Sequence, residues 1–232
     1  MTAKIAEETS LRERTFVFGD RTDGGMLLSK KLRQYAARSD ALVLAAAAGG
    51  VPVGHVVATE LDIPMEVIVI RKIQLPWDTE SGFGAMSFDG DIILNLHLVR
   101  RLGLSEKTMK ECISKTRNII QERLSKYRGG RPLPELKDKV VIIVDDGLAS
   151  GYTMLAAARS VRKGMPRRLV IAAPTGSSAA IELLASEVDE IVCLNIRSGP
   201  FFAVADAYSN WYDLTDDDVL EILKRPRPPR QP

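Results

Sequence analysis

Two adjacent carboxylates, Asp145 and Asp146, stand between an apolar run and a cluster of small and hydroxylated residues. Residues 140–153 read Val-Val-Ile-Ile-Val-Asp-Asp-Gly-Leu-Ala-Ser-Gly-Tyr-Thr, and an apolar, Ala-rich run follows over 154–161. That order predicts a buried strand, an acidic tip, a tight anion loop and a helix. The two carboxylates can accept hydrogen bonds from vicinal hydroxyls. The amides of residues 149–153, with the Ser150 and Thr153 hydroxyls, can wrap a phosphate at a helix N-terminus. A ribose 5-phosphate carries both groups, several ångströms apart. The bland alternative is a βα turn with an acidic cap and no ligand. Gly147, Ser150, Gly151 and Thr153 argue against it.

Two other turns hold anion chemistry. Ala48-Gly49-Gly50-Val51-Pro52 follows an apolar run, and paired glycines let backbone amides approach an anion closely. Arg71 and Lys72 follow a second apolar run directly. Arg offers a planar fork to phosphate and Lys a point charge. A plain turn and a solvated cation pair are the bland readings. Residues 73–90 carry Pro76, Gly82, Gly84 and Gly90 and are expected to form a long loop. As a lid, that loop would use Trp77, Phe83 and Phe88 to exclude water. Residues 200–212 concentrate Phe201, Phe202, Tyr208, Trp211 and Tyr212. This segment either stacks on a planar base or forms a satellite hydrophobic cluster.

The elements that must position these groups alternate along the chain. Helices are expected over 26–37, 51–61, 106–127, 154–163, 176–186 and 215–224, and strands over 41–46, 65–70, 91–96, 140–144, 168–173 and 189–194. Pro52 falls in a first helical turn, and Asp216, Asp217 and Asp218 open the last helix, where the dipole favours acids. Residues 1–15 read as a loose lead-in or short helix. The alternation predicts an α/β fold with a doubly wound, mainly parallel sheet flanked by helices. A single domain would run over 16–224, with 91–135 as a peripheral helical insertion or hood. Residues 225–232, with four prolines and three arginines, are expected to be a disordered tail, or at most a weak acid- or RNA-binding segment.

Composition narrows the classes. The chain has 232 residues, 45% hydrophobic and 27% charged, ordinary for a globular protein. A net charge of +2 gives no global field for nucleic acid. Two cysteines, Cys112 and Cys193, exclude a disulfide framework and a Cys-rich zinc site. His55 and His97 are lone histidines, read as packed or surface residues. No apolar run is long enough to span a bilayer, and the first residues lack the apolar core of a signal peptide, so a cytoplasmic location is expected. There is no Gly-x4-Gly-Lys-Ser/Thr loop, which argues against a P-loop kinase.

The 140–153 stretch resembles the 5-phosphoribosyl-1-pyrophosphate (PRPP) motif of the type I phosphoribosyltransferases. Within them the chain is similar to a subgroup of predicted phosphoribosyltransferases over residues 16–223. Phe18-Gly19-Asp20-Arg21, Gly24-Gly25, Gly49-Gly50-Val51-Pro52-Val53 and Ile70-Arg71-Lys72-Ile73 carry that similarity. So do Pro76, Glu80, Gly84-Ala85, Phe202 and Tyr208. Ala48 departs from it, because many members have Arg before the glycine pair. The resemblance implies transfer of a 5-phosphoribosyl group from Mg²⁺-bound PRPP to a small nitrogen acceptor, with release of pyrophosphate. It implies a homodimer. Gly147, Ala149, Ser150, Gly151, Tyr152 and Thr153 would hold the 5-phosphate, and Gly49, Gly50, Arg71 and Lys72 the pyrophosphate. Asp145 and Asp146 would fix the ribose and meet Mg²⁺ indirectly; they and Lys72 form the expected catalytic set, and either acid could serve as base. Phe201, Phe202 and Tyr208 would line the acceptor site. The alternative is a non-catalytic regulatory protein of the same fold that senses PRPP.

Overall fold

Valine and isoleucine fill the strands because their branched side chains suit a pleated surface buried on both faces. A computed structural model describes residues 2–225 and all their side chains except those of Thr79 and Glu80; the expected tail lies, from residue 226 on, outside the described residues. The strands are β1 (Lys4–Ala6), β2 (Ala41–Ala47), β3 (Met65–Val69), β4 (Arg71–Leu75), β5 (Asp78–Met86), β6 (Ile92–Leu94), β7 (Val140–Val144), β8 (Gly147–Leu148), β9 (Arg168–Ser177) and β10 (Glu190–Arg197). The helices are α1 (Arg21–Lys31), α2 (Gly50–Leu61), α3 (Leu96–Arg101), α4 (Glu106–Arg128), α5 (Tyr152–Lys163), α6 (Ser178–Leu184) and α7 (Asp216–Lys224).

The main sheet has the order β1-β10-β9-β7-β2-β3, all parallel, with the short β8 alongside β9. The doubly wound fold expected from the alternation is present. From β2 the chain winds through α2 to β3 at one edge. From β7 it winds through α5 and α6 to β9 and β10, toward the other edge. The direction therefore reverses between β2 and β7, where open α/β sheets bind ligands. Register pairs Ala45 with Val144, so β2 runs two residues past the end of β7 and carries its turn over the acidic tip.

All five residues of β7 are buried. Val141 and Ile143 pack with Leu42 and Leu44 beneath Met154, Leu155 and Val161 of α5. Val140, Ile142 and Val144 face the opposite way, against Leu28 of α1 and Val53 and Val57 of α2. Burying each such side chain stabilises by about 1.5–3 kcal/mol, and cutting Ile142 to Ala would cost about 2–5 kcal/mol. This central strand is the rigid mount for the acidic tip.

Three expectations change. Residues 4–6 are an edge strand paired with β10 rather than loose coil or helix. Residues 73–90 are not a long loop: β4, β5 and β6 form an antiparallel three-stranded sheet with register shifts around Gln74. Its glycines are there for close packing rather than hinging, since a Cβ on Gly84 would lie 2.4 Å from the Ile93 carbonyl oxygen. Phe83 is fully buried, Phe88 packs on the main core, and Trp77 is exposed. The strand expected to stop at 173 continues to Ser177, because β8 and β10 go on pairing with it past Pro174. The long helix α4, in the segment expected to be a peripheral insertion or hood, packs at the β3 edge of the sheet. Ser105 caps its start and Gly129, at φ 57°, its end. Its Ile120 and Tyr127 join a core with Val67, Val69 and Ile73 of β3 and β4 and Val219 of α7. No helix among the described residues is long and apolar enough to cross a membrane.

Candidate functional site

Beyond the end of β7 the two carboxylates have different surroundings. The Asp145 amide donates to the Ala172 carbonyl (3.2 Å), and the Asp146 amide donates to Asp145 Oδ1 (2.9 Å). Asp145 is half-buried. Burial first, and the neighbouring Asp146 charge second, push its carboxyl well above the usual carboxylate range. Asp146 is buried, and its Oδ2 accepts from Arg21 Nε at 2.9 Å. A buried charge persists only when paired, and the equally buried Arg21 supplies the partner. The Arg21 guanidinium also donates to the Tyr212 carbonyl (2.9 Å) and lies 3.9 Å from the Trp211 ring centroid. The Tyr208 hydroxyl donates to the Asp146 carbonyl oxygen at 2.6 Å. The acids that looked equivalent in sequence are one clamped and one open.

The loop that follows is fixed from behind. Gly147 and Leu148 pair with Thr175 and Gly176 of β9. The Ser177 hydroxyl donates to the Ala149 carbonyl (2.6 Å) and also accepts from the Ala180 amide, capping α6. Gly151 has φ 78°, a left-handed conformation that favours glycine, and a Cβ there would press on Leu183 and Ala180. From Tyr152 the helix α5 begins, so its first amides have no intrahelical acceptor and carry the positive end of the dipole. Gly147, Ala149, Ser150, Tyr152 and Thr153 line a cavity of about 440 Å³. Its facing wall holds Lys72 of β4, Gly82 and Gly84 of β5, and Asn95 and Leu98 beside β6.

The glycine pair lies next to the acidic tip. The Ala47–Ala48 peptide is cis. Gly49 then caps α2 with helical backbone angles, and Pro52 falls in the first turn as expected. A Cβ on Gly49 would sit 2.1 Å from Asp146 Oδ2, and one on Gly50 would sit 2.4 Å from the Val144 carbonyl oxygen. These glycines are required by the approach of the β2 turn to the β7 tip, a cause that two letters of sequence do not reveal.

Arg71 and Lys72 separate. Neighbours in a strand point to opposite faces. Lys72 lines the cavity of loop 147–153. Arg71 instead lines a second cavity, of about 230 Å³, with Thr108, Cys112 and Lys115 of α4. Burial, and then the nearby Arg123 charge, lower its guanidinium pKa. Of the two expected pyrophosphate cations, Lys72 is the one brought to the loop.

The aromatic segment is divided as well. Tyr208 is 1% exposed, with ring centroids 5.6 Å from Phe18 and 5.4 Å from Trp211. Its expected place in an acceptor site is corrected: a ring covered on both sides cannot stack on a ligand. Phe202 packs against Arg197, whose guanidinium is 4.5 Å from the ring centroid, and Phe201 is 93% exposed.

Among the described residues no group of three or more His, Cys, Asp or Glu side chains could hold a metal ion. That donor set fits Mg²⁺ only in its usual substrate-assisted form, with one or two carboxylates plus phosphate oxygens and waters. Asp145 fits such a role; Asp146 Oδ2 is taken by Arg21.

Sequence reasoning missed Arg21 as the partner of Asp146, 125 residues away. It also missed Ser177, Asn95 and Val204, whose side chain covers Gly147. The segment around Arg21 was visible in the subgroup resemblance, but nothing local assigns that arginine an acid.

Residues 21–204 match the family model described as the phosphoribosyl transferase domain. Two Mycobacterium tuberculosis proteins, provisionally named as phosphoribosyl transferases, are 36% identical to this chain over 209 residues, which is 90% of it and 47% of each relative. The chain thus spans about half the length of these curated relatives. Among solved structures, the protein TT1426 from Thermus thermophilus is 32% identical, with a TM-score of 0.70 covering 89% of this chain and 97% of its own. The protein AQ2163 from Aquifex aeolicus, 14% identical at a TM-score of 0.51, shares the fold over 77% of this chain and 73% of its own.

Proposed function

The chain belongs to the phosphoribosyl transferase domain family, and we propose that it binds Mg²⁺-PRPP and transfers the 5-phosphoribosyl group to a small nitrogen acceptor with release of pyrophosphate. One observation carries the reading. The acidic tip after β7 and the Gly49-Gly50 turn after β2 meet where the sheet winding reverses, and the loop 147–153 opens from that tip into the cavity that Lys72 shares.

In this reading the amides of 149–153 and the Ser150 and Thr153 hydroxyls hold the 5-phosphate. The Asp145 carboxylate accepts hydrogen bonds from the ribose hydroxyls. Lys72 and the Gly49-Gly50 amides receive the pyrophosphate. Mg²⁺, held by Asp145 and ligand oxygens, would supply charge neutralisation to the diphosphate. The C1–O bond breaks with its electron pair leaving on pyrophosphate. The acceptor nitrogen then forms the C1–N bond with its lone pair and passes its proton to the released pyrophosphate or to water. Between these events the ribose is cationic, and Asp145 lays negative charge beside it. Asp146 acts through its neighbours rather than on the sugar. Of the three residues expected to line the acceptor site, Phe201 and Phe202 remain, Phe201 exposed and Phe202 against Arg197.

Thermal unfolding with Mg²⁺-PRPP tests the binding half. A ligand at a hundred times its Kd stabilises by about 2.7 kcal/mol, or about 5–11 °C for a domain of this size. Pyrophosphate release over a panel of bases and amines tests the transfer half. No shift with PRPP would sink the assignment. A shift with no release for any acceptor would overturn the enzyme in favour of a PRPP sensor.

A further inference from the structure

We propose that Arg21 is a positioning residue for the ribose acid: it clamps Asp146 so that Asp145 alone meets the ribose hydroxyls, and the segment 204–212 is the strap that locks this clamp. The inference rests on the PRPP reading above and extends it to residues outside the ligand's reach.

Three contacts hold turn 145–147 from the side of the strap. Val204 lies over Gly147, where a Cβ would come 2.4 Å from its Cγ1. The Tyr208 hydroxyl holds the Asp146 carbonyl oxygen at 2.6 Å. Arg21 holds the Asp146 carboxylate at 2.9 Å, and Trp211 covers the guanidinium at 3.9 Å. Arg21 is itself tied to the strap through the Tyr212 carbonyl. The strap and the segment leading into α1 are joined further by the bridge between Phe18 and Tyr208 and by the Ser209 and Asn210 amides, which donate to the Phe18 and Gly19 carbonyls. None of Arg21, Val204, Tyr208, Trp211 and Tyr212 lines the loop cavity that Lys72 shares. A carboxylate gripped through Nε by a stacked, buried arginine has a fixed direction. Asp145, next in the chain, inherits that direction through the Asp146 amide, which donates to Asp145 Oδ1. Asp146 is thus a positioning residue too, and the aromatic segment serves the ribose site from behind rather than the acceptor from in front.

The experiment is titration calorimetry of the full chain with ribose 5-phosphate and, separately, with pyrophosphate. Arg21→Met should weaken ribose 5-phosphate about 10- to 100-fold, the range for a lost charge-assisted hydrogen bond, and leave pyrophosphate within about twofold. Arg21→Lys should recover part of the loss, since it keeps the charge but not the planar fork. Asp146→Asn combined with Arg21→Met should bind no worse than Arg21→Met alone, because the two act as one unit. Tyr208→Phe keeps the packed ring and removes one hydrogen bond; it should weaken ribose 5-phosphate about fivefold. In a Trp77→Phe background, Trp211 emission should respond to ribose 5-phosphate and lose that response in Arg21→Lys. Wild-type affinity for ribose 5-phosphate in Arg21→Met overturns the proposal. So does equal weakening of ribose 5-phosphate and pyrophosphate in Tyr208→Phe, which would mean general loosening. A wild-type chain that binds neither ribose 5-phosphate nor PRPP overturns the parent reading, and the proposal with it.

Discussion

Replacing Gly49 by alanine adds one methyl group, and the structure says where it goes. Built on the native backbone, it lies 2.1 Å from Asp146 Oδ2, 2.4 Å from Cγ and 2.7 Å from Oδ1, well inside any real Cβ contact. The backbone itself raises no objection, since Gly49 has φ −57° and ψ −36°. Alanine at such angles would ordinarily stabilise by about 0.4–1 kcal/mol through the unfolded chain. The cost therefore comes from the carboxylate, which cannot swing away without leaving Arg21. Breaking a buried ion pair from one side costs about 3–5 kcal/mol. Less the unfolded-state gain, the net expected loss is about 3 kcal/mol, or about 6–12 °C in Tm. Urea and thermal unfolding followed by circular dichroism would measure it. The decisive comparison is the same substitution in an Asp146→Ala background, where the clash has no partner. There Gly49→Ala should cost less than about 0.5 kcal/mol, leaving a coupling above about 2 kcal/mol. Equal costs in both backgrounds, or a wild-type Tm for Gly49→Ala, would refute the close approach of the two turns.

Other consequences are open to test. Asp145→Asn should remove ribose 5-phosphate binding in calorimetry yet leave Tm unchanged or higher, because burial and the Asp146 charge both oppose its ionised form. Lys72→Ala should weaken PRPP far more than ribose 5-phosphate; equal losses would argue against a pyrophosphate role. Glu190→Gln should destabilise by about 3 kcal/mol in urea without changing ligand affinity, because it breaks a buried network with Tyr35, Gln34 and Arg168 at the opposite end of the sheet. Burial pushes that carboxyl up, but the Tyr35 and Arg168 hydrogen bonds outweigh it and hold it below the usual glutamate range. Its contribution is therefore present above the unfolded-chain value and disappears as pH falls through the folded one, a dependence that Glu190→Gln should lack. Lys163→Ala removes both ion pairs from Asp89 and Asp91 to α5 and leaves the Ser160 hydrogen bond to Asp89. Stability should stay within about 0.5 kcal/mol, as for other exposed pairs, while amide exchange over residues 87–91 quickens.

Local pattern alone made the main sheet and its helices readable. Runs of buried β-branched residues and helical spacing are properties of neighbouring residues, and β2, β3, β7, α2, α4 and α5 carry them plainly. Where glycines interrupted the pattern it misled: Gly82 and Gly84 signal a loop in sequence but sit in β5, where a neighbouring strand comes too close for any side chain. Likewise Lys4–Ala6 has no pattern of its own and becomes a strand only because β10 offers an open edge.

The same division holds in the candidate site. By itself the chain determined that two acids, a small-residue loop and a glycine turn cap strand ends, because each group is encoded within a few residues of its strand. Tertiary structure decided what each group faces. Register brought the Gly49 turn against Asp146, strand alternation sent Arg71 and Lys72 to different cavities, and burial turned Tyr208 from a ligand platform into a prop for the acidic tip. The choice between Asp145 and Asp146 belongs to an arginine 125 residues away. A short-range pattern cannot hold that information, since the partner of a buried charge is set by which surfaces the fold brings together.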